Sequence, residues 1–433
     1  MKFEIIEANE VNYSMIERLV RRNQEVRVDI KNEVLNIIQA VKNQKDKAII
    51  ELTKKYDDVS LRPDEIKVGK EEIKKAYNKV NKEFIKAINE AKDNIFKFHE
   101  IQKQKELKIQ IKSGIQINQI FRPIESIGIY VPGGRAIYPS TILMGSIPAL
   151  IAGVKRIIIS SPPNKNKTVA PEILVAANEV GISEIYKIGG AQAIAAMAYG
   201  TKIIPHVQKI IGPGNEWVNT AKFLLSNIIS IDLPAGPSEI LIIADGNANP
   251  DFITIDLFSQ IEHDPSNIGI IISPSERLIY QVFEKINVYL NDIPRKDIIT
   301  SALKNNCLFI KAGDLNECCK LANMIAPEHL QIMTKTPKNL LKKIFNAGAI
   351  FLGENTPVAL GDYCAGTNHI LPTGGMAKSC SGLTVNDFLK SINVLECNRK
   401  GLINLSNCTM ILARQEGLMS HEKSIKIRLK EKN

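Results

Sequence analysis

The feature that most constrains the fold is a rhythm: short β-branched runs alternate with helical stretches, in two successive series. The first series is Ile127–Val131, Arg156–Ser160, Glu184–Ile188, Lys209–Ile211 and Ile228–Ile231. The second is Glu239–Ile243, Ile268–Ile272, Leu308–Ile310, Leu330–Met333 and Ala349–Leu352. Strands that take turns with helices predict parallel sheets, so the chain reads as an α/β protein with two units of this kind. Ahead of them, periodic polar–apolar runs at 31–56 and 82–106, broken at Asp57-Asp58 and Arg62-Pro63, predict helices. From Gly353 to Gly382 the periodicity stops in a stretch rich in glycine. A structureless stretch of that length in a compact enzyme is usually functional or disordered, and its apolar content, with Asp362 and His369 embedded, favours function.

Composition excludes several classes. The chain has 433 residues, 44% hydrophobic and 24% charged, which rules out disorder throughout and a small disulfide scaffold. No apolar run approaches the ~20 residues of a membrane span. The N-terminus is charged where a signal peptide is apolar, so a cytoplasmic protein without membrane partners is expected. The net charge of +10 raises a nucleic-acid reading. Acids interleave with the bases, as in Glu71-Glu72-Ile73-Lys74-Lys75, and no nucleic-acid-binding motif occurs, so none is expected. The seven cysteines form no CxxC pair and read as free thiols.

Few residues can carry chemistry. Gln260 and His263 are three apart at the end of a helix that Asn249-Pro250 opens and Pro265 closes, which is a ligand spacing and equally an ordinary helix end. Glu328-His329 enters a strand, where neighbours point in different directions, and suits acid–base work near neutral pH or a merely structural pair. Asp362 follows Gly361 in the glycine-rich stretch and is a hard donor for a metal. His421 follows Ser420, a plausible helix cap, in the tail. Glycine corners after strands, Tyr130–Gly134, Gly189–Gln192 and Gly212–Asn215, open helices whose N-termini can hold phosphate, and a fourth, Pro234–Ser238, joins the two units. No GxGxxG occurs, so spacing leaves a nucleotide open. Other readings remain: an aldehyde dehydrogenase with Cys364 or Cys380 as nucleophile, or a zinc hydrolase.

Together these segments resemble the L-histidinol dehydrogenase family. The resemblance rests on YVPGGRAIYP (130–139), GGAQAIAAMAYGT (189–201), GPGN (212–215), AGPSE (235–239), SQIEHDP (259–265), IAPEHL (325–330), GDYCAGTNHILPT (361–373), SGLTV (381–385) and EGLMSH (416–421). It implies a four-electron oxidation of L-histidinol through L-histidinaldehyde to L-histidine, reducing two NAD, with one Zn2+ per subunit. The implied metal ligands are Gln260, His263, Asp362 and His421. Glu328 and His329 are the implied catalytic pair, and Tyr130, Gln192 and Asn215 the implied NAD contacts. Ser238, Glu416, Glu328, His329 and the metal ligands would contact substrate. The implied fold is two incomplete Rossmann-like parallel-sheet domains with a helical N-terminal segment and an extended C-terminal tail. The corresponding division is a helical arm at 1–25, a helical segment at 26–124 packing on the second α/β unit, domains at 125–237 and 238–380 with the active-site loop 353–382, and a tail at 381–433. A homodimer with shared active sites is implied, each tail crossing to the partner. Val358, Gly145 and Lys378-Ser379 depart from the family pattern, none at a proposed ligand or base.

Overall fold

The computed structural model describes residues 3–11, 14–15, 28–133, 137–233 and 236–430. Much of the expected arm at 1–25 therefore lies outside the described residues, as do Gly134 of the first glycine corner and Pro234-Ala235 of the fourth. The chain forms two compact units, one of residues 1–101 and 125–385, the other of 102–124 and 386–433.

The strands run in chain order as follows. β1 (Ile5–Glu7) comes first, then β2 (Leu107–Lys112) and β3 (Ile115–Pro123). The first α/β series gives β4 (Ser126–Tyr130), β5 (Arg156–Ser161), β6 (Ile185–Lys187), β7 (Lys209–Ile211) and β8 (Ser230–Ile231). The second gives β9 (Glu239–Ala244), β10 (Ile268–Ser273), β11 (Cys307–Lys311), β12 (His329–Met333) and β13 (Ala349–Leu352), and β14 (Leu389–Cys397) closes the list.

The larger unit holds two parallel sheets, ordered β6-β5-β4-β7-β8 and β1-β11-β10-β9-β12-β13. Each series thus starts at the middle of its sheet, builds outward one way, then returns to build the other way. In the first sheet the order reverses between β4 and β7, in the second between β9 and β12. Side chains such as Ile240, Leu241, Ile242 and Ile243 of β9 are all buried, because helices cover both faces.

Three expectations need correcting. Ile5–Glu7, expected in a helical arm, is a strand that pairs parallel with β11, where Ile5 and Ile6 extend the sheet edge. The helical segment packs mainly on the first α/β series, although Asn94 and His99 also touch Cys364 and Asn368: Ile30, Val34, Ile37 and Val41 from Val28–Gln44 form an apolar stripe against Ala193, Ile194, Ala196 and Met197 of helix Gly190–Tyr199. Small alanines on that helix let the stripe approach closely. Residues 107–123, expected to be helical, form two strands. With β14 they make the antiparallel sheet β14-β3-β2 of the smaller unit, which the helices Arg399–Gln415 and Met419–Lys430 complete. No helix among the described residues is long and apolar enough to cross a membrane.

Candidate active site

Both sheets gather their candidate residues at the point where strand order reverses, but at opposite edges. In open parallel sheets, ligands usually bind outside the carboxyl ends of the strands at that point. The first sheet follows the rule. Tyr130 ends β4, and its hydroxyl accepts from the Gly190 amide at 3.0 Å, at the start of helix Gly190–Tyr199. Burial pushes the phenol up to about 12, so it stays neutral. Gln192, on the same helix, is buried, and its Nε2 has no partner among the described residues. Asn215 caps helix Glu216–Leu225, its Oδ1 accepting from Val218 N at 3.1 Å. Gly212 has φ +110°, and a Cβ there would collide with the Tyr130 carbonyl. Its amide donates to Asp232 Oδ2 at 2.7 Å and its carbonyl accepts from Lys222 Nζ at 3.0 Å. Lys222 and Asp232 are buried and ion-paired, so this corner is held from beneath.

The second sheet departs from the rule and uses its amino edge. Glu239 is the first residue of β9 and His329 the first of β12, and both are buried. The chain reaches β12 from helix Leu315–Ile325 through Ala326, left-handed at φ 55°, and Pro327. Glu239 N donates to Glu328 Oε2 at 2.9 Å, and Glu328 N donates to Glu239 Oε2 at 3.2 Å. The second Glu239 oxygen accepts from Gly374 N at 2.7 Å. Burial, in the main, pushes the Glu239 carboxyl up to about 8.

His329 Nδ1 lies 3.1 Å from the Glu239 carbonyl oxygen and 3.5 Å from Glu328 Oε2. A carbonyl only accepts, so Nδ1 carries the proton and Nε2 is the basic nitrogen in the neutral ring. Nε2 is buried without a hydrogen bond, 3.4 Å from Asp362 Oδ1. Burial opposes charge on this ring, but the Glu328 and Asp362 carboxylates outweigh it and raise its pKa well above the ordinary value.

Asp362 joins the bases to the expected ligands. Its Oδ2 accepts from Gln260 Nε2 at 3.0 Å. Burial works against its ionisation, yet His329 and Gln260 together hold its pKa below the usual carboxylate range. His263 sits just past the end of helix Pro250–Ile261, where burial depresses its pKa and the Asp362 charge acts against that. Asp362 itself lies in a short helix, Val358–Tyr363, inside the stretch expected to be irregular. Ser238 immediately precedes β9, its amide donating to Asn267 Oδ1 at 3.1 Å.

The larger unit thus assembles Gln260, His263, Asp362, Glu328 and His329, with Ser238 at the start of the strand beside them. Glu416 and His421 belong to the smaller unit, exposed, at the end of one helix and in the first turn of the next. Those helices are clamped by Glu422, whose carboxylate takes Arg414 at 2.5 Å and Lys426 at 2.6 Å. Among the described residues, no three His, Cys, Asp or Glu side chains cluster as a metal site. Gln260, His263 and Asp362 are an imidazole nitrogen, a carboxylate and an amide oxygen, a mixed N/O set that suits zinc and is short of one donor. At the other edge, two helix N-termini and the orphaned Gln192 amide suit a polar, anionic ligand.

Sequence reasoning missed Glu239, the hub of the second edge, although it stands in the AGPSE stretch. Its signal is a carboxylate opening an otherwise apolar strand. His369 was noticed without a role; its Nδ1 donates to the Asp362 carbonyl at 2.9 Å.

Known proteins resemble this chain along almost its entire length. The family model described as histidinol dehydrogenase matches residues 20–429. The histidinol dehydrogenase of Methanocaldococcus jannaschii is 45% identical over 416 residues, 96% of each chain. That of Caldanaerobacter subterraneus subsp. tengcongensis is 46% identical over 419 residues, 97% of each. A crystal structure of histidinol dehydrogenase from Elizabethkingia anophelis superposes with a TM-score of 0.93 at 40% identity, covering 99% of this chain and 98% of that one. With a match along almost its entire length, the chain belongs to the histidinol dehydrogenase family.

Proposed function

We propose that the protein is a cytoplasmic, zinc-dependent enzyme that oxidises L-histidinol to L-histidine through L-histidinaldehyde, reducing two NAD+ in the last steps of histidine biosynthesis. The observation that carries this reading is the buried Glu328–His329–Asp362 cluster beside Gln260 and His263. Gln260, His263 and Asp362 hold the metal, with His421 as the fourth ligand. Zinc supplies a Lewis acid and a seat for the substrate's imidazole and amine, and NAD supplies the hydride acceptor. Tyr130, Gln192 and Asn215 line the dinucleotide site, and Ser238 and Glu416 hold substrate.

The protein's own groups then move protons. In its neutral form His329 takes the hydroxyl proton at Nε2, which faces the Asp362 carboxylate, as hydride leaves the carbinol carbon. Glu328 has one oxygen fixed by the Glu239 amide, and the other makes no hydrogen bond to the described residues. That free oxygen takes a proton from water as the water oxygen bonds to the aldehyde carbon. The hydrate loses a second hydride and a proton to give the carboxylate. Overall, one alcohol, one water and two NAD+ give one carboxylate, two NADH and three protons. With water as the nucleophile and Glu328 as its base, this route forms no cysteine adduct.

Each site takes its Glu416 and His421 from a second copy of the chain. The smaller unit supports a dimer, since it leaves Leu107, Ile109, Leu395, Ile403, Leu412 and Met419 exposed. The test is NADH production from L-histidinol before and after zinc chelation. Activity that chelation abolishes and added Zn2+ restores is expected; chelator-resistant activity refutes the metal assignment.

A further inference from the structure

The amino edge of the second sheet contains a buried carboxyl with no part in the mechanism above. Glu239 neither faces the expected metal ligands nor offers a free oxygen to substrate, because both its oxygens are taken by backbone amides. Four hydrogen bonds meet on this one residue. Its carboxyl accepts from Glu328 N and Gly374 N at 3.2 and 2.7 Å. Its amide donates to the Glu328 carboxylate at 2.9 Å, and its carbonyl takes the His329 ring at 3.1 Å. Glu328 is held here by a reciprocal carboxyl–amide pair with Glu239, while His329 meets the main-chain carbonyl that sets its tautomer. Gly374 also ties the glycine-rich segment to the start of β9, beside a second tie from Gly236 N to Thr373 Oγ1 at 2.6 Å.

Burying a carboxyl against a second carboxylate is costly unless it is fully hydrogen-bonded. Here the Glu328 and Gly374 amides meet that need, and the first of these bonds also fixes the backbone of the Glu328 base. Were the role only to fill space, an apolar residue would do it better.

We infer that the Glu239 side chain is a positioning group for the reaction, holding the Glu328 base in place through its backbone amide and tying the glycine-rich segment to the start of β9. The inference rests on the proposed function and deepens it. The two amides reach different carboxyl oxygens, so an isosteric amide can satisfy only one and must turn its NH2 on the other donor. Glu239→Gln should therefore break one of the two bonds without emptying the site.

The test uses the full-length enzyme with zinc content and thermal midpoint measured on each preparation. Glu239→Gln should lower kcat for L-histidinaldehyde oxidation by at least about tenfold, with KM within about twofold and zinc content unchanged. Glu239→Asp keeps both oxygens but withdraws them by one methylene, and should show the same selective loss if the Gln variant does not fold. In a Glu328→Gln background the same change at Glu239 should cost less than about twofold, because the group it acts through is gone. Wild-type kcat in either folded variant overturns the inference, as does a loss of undiminished size in the Glu328→Gln background. Wild-type enzyme inactive on L-histidinol would instead refute the proposed function itself.

Discussion

At the scale of single residues, the two bases have separable tasks. Glu328→Gln should slow oxidation of added L-histidinaldehyde by about 100-fold or more, within the usual range for a general base. It should slow alcohol oxidation less, because that step needs no water. His329→Asn should impair both steps that take a proton from the substrate oxygen. Single-turnover NADH formation from each substrate measures this, and equal losses for Glu328→Gln on both would make that residue a substrate orienter only. Asp57 gives a prediction about stability. Burial pushes its carboxyl up to about 6, and its Oδ2 has no partner. The usual value is about 3.9, so the folded protein holds this proton more tightly than the unfolded chain, and stability is lost as pH rises through about 6. Asp57→Asn should therefore raise the thermal midpoint at pH 7.5 and leave it unchanged at pH 3.5, as calorimetry of ligand-free protein would show. The candidate residues were legible one by one as donors and bases, but weakly so. Gln260 and His263 could equally have ended an ordinary helix, and their meeting with Asp362 depends on a contact 102 positions away in sequence that no local spacing announces.

At the scale of elements, the ten strands of the two series were legible, each near its observed place, because β-branched runs between helices have one common structural meaning. The smaller unit was not. In β2, Leu107, Ile109 and Ile111 alternate with Lys and Gln, a strand period, but the run follows a long helix and all six residues are exposed. β14 falls inside the expected tail at 381–433 and is not legible there as a strand, because its partner β3 lies some 270 residues earlier. The corner after β7 carries its own prediction. Lys222 neutralises Asp232 and bonds the Gly212 carbonyl from a fully buried position. Lys222→Met would leave Asp232 charged and unpaired, and should destabilise the protein by about 3–5 kcal/mol in urea unfolding. Replacing both residues by apolar ones should recover much of that loss, while NAD binding, which the proposed function assigns to this corner, should weaken.

At the scale of the whole molecule, the account divides each active site between two chains. Consider a His263→Asn chain refolded together with a His421→Asn chain. In a mixed dimer one site takes intact His263 from the second chain and intact His421 from the first, while the other site carries both defects. Random pairing makes about half the dimers mixed, so roughly a quarter of wild-type activity should return, although each mutant refolded alone stays inactive. If each tail served its own chain, every site would carry a defect and nothing would return. The central claim, however, is the four-electron course of the reaction, and the stoichiometry of NADH tests it most directly. With limiting L-histidinol, excess NAD+ and zinc-loaded enzyme, two NADH and one L-histidine are expected for each L-histidinol consumed, with no aldehyde accumulating. One NADH per L-histidinol, with the aldehyde as the end product, would contradict it.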